Sequence, residues 1–288
     1  MPTYHELAAA ARPRLVAAGI SDVEAGLDPR ILLQRLLGWD AARFFAHGDQ
    51  SADLSVVAHF DQWIRRRERR EPVAYITGEQ EFWGLGFEVT PAVLIPRPET
   101  EAIVEIALSY VPDPQAAVRV ADVCTGSGCV AVAFAHERRN AAVVATDVSS
   151  AALAVAARNA VRHGVHDRIS FERRDLLEKS GDTFDLIMSN PPYVPAGDLV
   201  TLQPEVVAYE PPLALVAGSD GLAIIRRLWP ALDQRLAPGG IALVEFGCGQ
   251  GDAVADLVRA TPGLELVELR ADLQGIPRTA VVRRAGSN

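Results

Sequence analysis

The sequence predicts a mixed α/β protein in which a small helical bundle and a β-hairpin precede a seven-stranded, mostly parallel sheet. Three observations carry this. From residue 1 to about 80 the hydrophobic periodicity is helical, with no strand-like alternation. The stretch "VRVADVCTGSGCVAVAFA" reads as a strand, a tight glycine turn and a helix. From about residue 99 onward, strands and helices alternate, the pattern of a parallel sheet covered on both faces.

In order, "YHELAAAARPRLVAAG" is a helix stopped by Gly19, a good residue just past a helix end. "SDVEAGLDPRILLQRLLGW" places Leu32, Leu33, Leu36 and Leu37 on one helical face. "SADLSVVAHFDQWIRRRERRE" opens with Ser51 as the expected N-cap. "EFWGLGFEV", with Gly84 and Gly86, suits a hairpin. Strands are expected near 118–123, 142–146, 168–172, 184–189, 241–246, 264–270 and 278–284, with helices clearest at 150–163 and 221–236. The domains are therefore drawn as a helical region 1–80, a hairpin linker 81–98 and a sheet domain 99–288.

The 288 residues hold enough apolar content, 49%, for a sizeable core, and no apolar run reaches the roughly 20 residues that span a bilayer. A net charge of −9 argues against gripping nucleic acid by its phosphates. "RRRERR" (Arg65 to Arg70) is the one candidate basic patch, and a solvated helix face is its expected role. Three cysteines, Cys124, Cys129 and Cys248, form no CxxC pair. No metal site or disulfide framework is expected, and the cytoplasm is the natural compartment. Cys124 and Cys129 read as small buried hydrophobes.

Gly126 and Gly128 let backbone approach a ligand closely, and the next helix offers unpaired N–H groups. Asp147 ends the following strand, where an acid accepts hydrogen bonds from both hydroxyls of a ribose. These residues point to a nucleoside cofactor and leave NAD, FAD and S-adenosylmethionine open.

"DLIMSNPPYVP" ends a buried strand in an amide and two prolines. The fourth strand of such a sheet ends beside the first, so Asn190, Pro191, Pro192 and Tyr193 face the glycine loop. A planar NH₂ group needs two acceptors, and the Asn190 side-chain oxygen and the Pro191 carbonyl form that pair. Pro192 stiffens the preceding peptide, and Tyr193 offers a ring face for stacking. An amide nitrogen is a poor nucleophile because its lone pair is delocalised. Two acceptors would fix it in line with a sulfonium methyl and stabilise the positive charge that grows on it.

"IPRPETE", "DVCTGSG", "TDVSSAALAVAARNA", "SNPPYVP" and "AYEPPLALVAGSDGL" together resemble the HemK/PrmC family, the protein-(glutamine-N5) methyltransferases of peptide chain release factors. The match runs from about Pro72 to the end; the helical region fits the family in size and position more than in residues. The resemblance implies a Rossmann-like S-adenosylmethionine methyltransferase domain that methylates the glutamine of the Gly-Gly-Gln motif in class-I release factors, with S-adenosylhomocysteine as product. It puts the cofactor at Cys124, Thr125, Gly126, Ser127 and Gly128, the ribose at Asp147, the adenine near Asp175 and Leu176, and the glutamine at Asn190, Pro191, Pro192 and Tyr193, with Asn190 also bordering the cofactor. Leu176 stands where some members carry an aromatic residue, and Ala217 where glycine is common.

The implied partner is the release factor, held by residues 1–80, with neither nucleic acid nor membrane bound and the enzyme a monomer. An N6-adenine or other nucleic-acid amino methyltransferase is the alternative, since this clamp also suits exocyclic amines; a dinucleotide oxidoreductase would leave Asn190 idle, and a non-catalytic cofactor-binding protein would not need the clamp. Arg97, Glu99 and Thr100 either line a pocket or belong to a stiff junction. Glu210 is expected to hold the NPPY loop.

Overall fold

The computed structural model describes residues 1–178 and 181–286, and the chain divides into two compact units. One takes Met1–Glu79 together with Gln203–Tyr209; the other takes Gln80–Leu202 and Glu210 onward. The chain begins with helices α1 (Tyr4–Ala17), α2 (Asp22–Leu37), α3 (Ala41–His47), α4 (Leu54–Glu68) and α5 (Val73–Thr77), then strands β1 (Glu79–Phe82) and β2 (Leu85–Glu88). Next come α6 (Glu101–Tyr110), β3 (Arg119–Val123), α7 (Cys129–Glu137), β4 (Ala142–Asp147), α8 (Ser150–Arg162), β5 (Ile169–Arg173) and β6 (Phe184–Ser189). The last elements are α9 (Pro204–Tyr209), α10 (Ala223–Arg235), β7 (Leu236–Glu245), α11 (Gly251–Arg259), β8 (Leu264–Ala271) and β9 (Pro277–Arg284).

In the helical unit, α1 opens on a capping box: Glu6 N–H donates to the Thr3 hydroxyl at 3.1 Å, and Thr3 N–H donates to the Glu6 carboxylate at 2.8 Å. Ser21 caps α2 and Gly38, at φ 62°, ends it. The expected Ser51 cap is not used. Helix α4 begins after Asp53, and Ser51 pairs with Thr3 in an isolated bridge. Leu15, Leu32, Leu33, Phe60 and Ile64 fill the core, each buried side chain contributing about 1.5–3 kcal/mol.

The arginine run is not uniformly solvated. Arg65 is exposed beside Asp61, but Arg67 lies on the inward face of α4 with Phe60 and Ile64, at helical spacing, and is buried. Its guanidinium donates to Asp28 at 2.7 Å and to Glu205 of α9 at 2.8 Å. Arg70 donates to the other Glu205 oxygen at 2.7 Å. Two carboxylates match two guanidiniums, which is the condition for burying such charge.

In the second unit the hairpin β1–β2 turns through Trp83 and Gly84, both left-handed at φ 57° and 70°, as a two-residue hairpin turn requires. Seven strands form one sheet in the order β5-β4-β3-β6-β7-β9-β8 among the described residues. Pairings from β5 through β7 are parallel; β9 runs antiparallel to both β7 and β8. Side chains alternate between the faces: Val120, Leu186 and Leu243 join one core with Phe134, while Ala121, Ile187 and Ala242 join another with Trp229. Fully buried Asn159 of α8 ties the hairpin to the glycine loop. Its Nδ2 donates to Glu88 O at 3.0 Å and Ser127 O at 2.9 Å, and its Oδ1 accepts from Glu88 N–H at 2.7 Å.

Replacing this side chain strands three backbone groups at once. Asn159→Ala is predicted to lower unfolding free energy by about 3 kcal/mol, since each buried group left unpaired costs about 1–3 kcal/mol. Urea denaturation measures this; a loss under about 0.5 kcal/mol would mean that the three groups find other partners.

Candidate active site

Strands β3 and β6 pair in parallel with Val123 opposite Ser189, so Cys124 and Asn190 leave the same sheet edge as neighbours. A cavity of about 240 Å³ opens there. Cys124, Thr125, Gly126, Ser127, Asp147, Asp175, Leu176, Asn190 and Pro192 all line it, as do Arg97 and Thr100 from the proline-rich segment. Gly128, Pro191 and Tyr193 are not part of that lining.

The cavity wall is made by backbone in unusual conformations. Cys124, Gly126 and Leu176 have φ of 62°, 53° and 53°, and left-handed non-glycine residues concentrate where surroundings hold them for a purpose. A Cβ on Gly126 would meet no atom within 4 Å, so this residue keeps open the space in front of the loop. Gly128, expected at the cofactor, has another reason to be glycine: a Cβ there would lie 2.9 Å from the Ala156 Cβ of α8. It allows helix and loop to pack closely.

Asp147 accepts Gly126 N–H at 3.0 Å on Oδ2 and Ser149 N–H at 2.8 Å on Oδ1. Each oxygen keeps a lone pair for a further donor. Burial pushes its carboxyl up, and those two N–H groups oppose the shift. Beneath the loop lies Asp122, which sequence reading missed. Its Oδ2 accepts from the Thr125 hydroxyl at 2.5 Å and from Ala131 N–H at 3.2 Å, tying the loop to the start of α7. Burial pushes this carboxyl up to about 7. Asp175 pairs with Arg227 at 2.7 Å. Burial raises both loop thiols, Cys129 to about 12; Cys129 is buried as expected, while Cys124 is partly exposed on the cavity wall.

At the end of β6 the Ser189 hydroxyl donates to Val123 O at 2.8 Å, locking the two strand ends together. Asn190 Nδ2 donates to the Thr100 hydroxyl oxygen at 2.9 Å. The amide oxygen is thereby the end left for a ligand. The Tyr193 hydroxyl donates to Glu245 Oε1 at 3.1 Å, and Gln250 Nε2 donates to Tyr193 O at 3.0 Å. Gly221 is forced: a Cβ there would sit 2.2 Å from Tyr193 O. Glu210 differs from expectation. It accepts from Ile95 N–H and Arg97 of "IPRPETE", holding that segment rather than the NPPY loop. For Glu245 and Gln250 the sequence offers one retrospective signal, a glutamate ending the apolar strand "IALVEFG" ahead of a glycine-rich turn.

Residues 6–78 match the family model of the PrmC N-terminal domain, and residues 104–208 match that of the methyltransferase small domain. A release factor glutamine methyltransferase of Cereibacter sphaeroides is 44% identical over 274 residues, 95% of this chain and 96% of that protein. One of Geobacter sulfurreducens is 46% identical over 238 residues, 82% of each. Among solved structures, a methyltransferase from Pyrococcus furiosus is 19% identical, with a TM-score of 0.51 over 71% of this chain and 90% of that one, a likeness of fold.

The raised acid beneath the loop sets a pH dependence. Asp122 titrates near 7 when folded and near an ordinary carboxylate value, roughly 4, when unfolded. Its protonated form therefore stabilises the fold below about pH 4, and that contribution is lost as pH rises through about 7. Asp122→Asn stays neutral throughout, so its stability relative to the parent protein is predicted to be higher at pH 8 than at pH 5. Denaturation midpoints at the two pH values check this; an equal offset at both would refute it.

Proposed function

The chain belongs to the release factor glutamine methyltransferase family, and from that premise we propose that it transfers a methyl group from S-adenosylmethionine to the side-chain N5 of the glutamine in the Gly-Gly-Gln motif of class-I release factors. The observation that carries the reading is the Asn190 amide, held by Thr100 with its oxygen free, in the cavity that also contains Asp147.

The residues fit such a cofactor. Asp147 keeps a lone pair on each carboxylate oxygen for the ribose hydroxyls, Gly126 leaves open space beside it, and Leu176, Val148 and Ile224 give an aliphatic wall for adenine. When bound, S-adenosylmethionine supplies a methyl group on a positively charged sulfur. Asn190 Oδ1 and Pro191 O accept the two N–H groups of the substrate amide and fix its nitrogen. Both dipoles oppose the positive charge that grows there, which is where preorganised groups lower a barrier most. The ring of Tyr193, held at its hydroxyl by Glu245 while Gln250 holds its backbone carbonyl, orients the flat amide. The surplus proton leaves to water.

The release factor's body needs more surface than a three-residue loop tip provides. Val23, Leu27 and Ile31 of α2 are 72%, 51% and 41% exposed at intervals of four, an apolar stripe on the helical unit suited to that role. The same reading makes the enzyme a cytoplasmic monomer, working where release factors work and without nucleic acid as substrate. Among the described residues no helix is long and apolar enough to cross a membrane.

Mass spectrometry of intact release factor after incubation with enzyme and S-adenosylmethionine should find one added methyl on the Gly-Gly-Gln glutamine; methylation of DNA or rRNA instead would overturn the reading. Asn190→Ala should lower kcat about 10²–10³-fold and leave cofactor affinity nearly intact. Asp147→Ala should weaken cofactor binding roughly ten- to a hundredfold, the loss of charge-assisted hydrogen bonds. Calorimetry beside steady-state kinetics separates the two, and swapped phenotypes would reverse the assignment.

For the apolar stripe, Leu27→Asp should reduce kcat/KM on intact factor about tenfold, an interface loss near 1.4 kcal/mol, while activity on a short Gly-Gly-Gln peptide stays unchanged. Equal losses on both substrates would remove α2 from recognition.

A further inference from the structure

Glu245 ends β7 fully enclosed, and its neighbour Val244 pairs with Ser189, so the carboxyl lies beside the start of the NPPY loop. It is not among the residues lining the cofactor cavity. Its Oε1 accepts the Tyr193 hydroxyl at 3.1 Å. Its Oε2 is buried without a hydrogen-bond partner, and the Thr100 hydroxyl is the neutral group that most favours its charged form. Thr100, also buried, accepts Asn190 Nδ2–H at 2.9 Å. One carboxylate thus stands behind both Asn190 and Tyr193.

The two ends of an asparagine amide have nearly the same shape, so packing does not choose which end faces outward; hydrogen-bond partners do. A threonine hydroxyl offers one proton and can also accept. If that proton went to Asn190, the amide would turn and present its NH₂ to a substrate NH₂, donor against donor. We propose that Glu245, by accepting the Thr100 proton, obliges Thr100 to accept from Asn190 and so keeps the Asn190 oxygen facing the substrate amide. Glu245 and Thr100 are positioning residues, and the proposal rests on the glutamine-amide reading given above.

The charge state of Glu245 then matters. Burial raises its carboxyl to about 7, and Glu99 adds to the rise, while Thr100, Tyr193 and Arg278 hold it down. When protonated, Glu245 offers a proton toward Thr100 and the order of the relay is lost. Deprotonation sets the relay, so activity rises with pH through this range.

Four measurements on the full-length enzyme with intact release factor test this. Glu245→Gln should lower kcat at pH 8 by tenfold or more, with the S-adenosylmethionine Kd within about twofold and no drop in Tm. Thr100→Val should match it, and Thr100→Ser, which restores the hydroxyl, should recover most of the rate. Wild-type kcat should rise about tenfold from pH 6 to pH 8, as one group titrating near 7 dictates, and Glu245→Gln should be flat. Wild-type kcat in Glu245→Gln or in Thr100→Val would overturn the proposal; should Glu245→Gln fail to fold, the Thr100 pair decides. A wild-type enzyme that leaves the factor unmethylated would instead overturn the functional reading, and this inference with it.

Discussion

Parallel pairing of β3 with β6 is the constraint on which the site depends. It brings together two chain ends that are 66 residues apart, and the Ser189 hydroxyl bonded to Val123 O holds them level. A one-residue slip would exchange the slipped strand's two faces, putting the residues of one core into the other. It would also carry Asn190 away from the glycine loop. Because both faces of the sheet are packed, on Phe134 and on Trp229, the register is set by burial on two sides. The reacting groups inherit that rigidity.

A second requirement is that polar groups at this edge be answered individually. Asp122, Asp147 and Glu245 bring three carboxyls into a partly apolar setting. Each is met by hydroxyl or backbone N–H donors rather than by a close cation: Asp122 by Thr125 and Ala131, Asp147 by Gly126 and Ser149, Glu245 by Tyr193. Neutral donors orient a carboxylate without cancelling its charge. Loop and clamp keep definite shapes, and the charge stays available to polarise its neighbours.

The strands were legible because their apolar runs are short, β-branched and bounded by turn residues; all seven lie close to the predicted positions. The glycine loop, Asp147 and NPPY were legible because each is a compact local pattern. What the sequence concealed acts at long range. Thr100 meets Asn190 across 90 residues, and Tyr193 meets Glu245 across 52. No periodicity encodes such pairs. Arg67 was obscured for a different reason: a run of arginines suggests solvent, and only its spacing from Phe60 and Ile64 marks it as inward. Gly128 fits the cofactor-loop pattern, yet its neighbour Ala156 gives a packing reason for the same residue.

The inclusion of Gln203–Tyr209 in the helical unit bears on how the protein is made. Residues 1–79 leave the ribosome well before α9 exists, an interval on the order of ten seconds at about 5–20 residues per second. Until then Arg67 has Asp28 but not Glu205, and Arg70 lacks the carboxylate it meets in the finished protein. The N-terminal helices therefore gain these two ion pairs only after α9 is made. The carboxylate they share comes from a segment translated after the NPPY loop, so the helical unit is completed only once the chain has passed Tyr209.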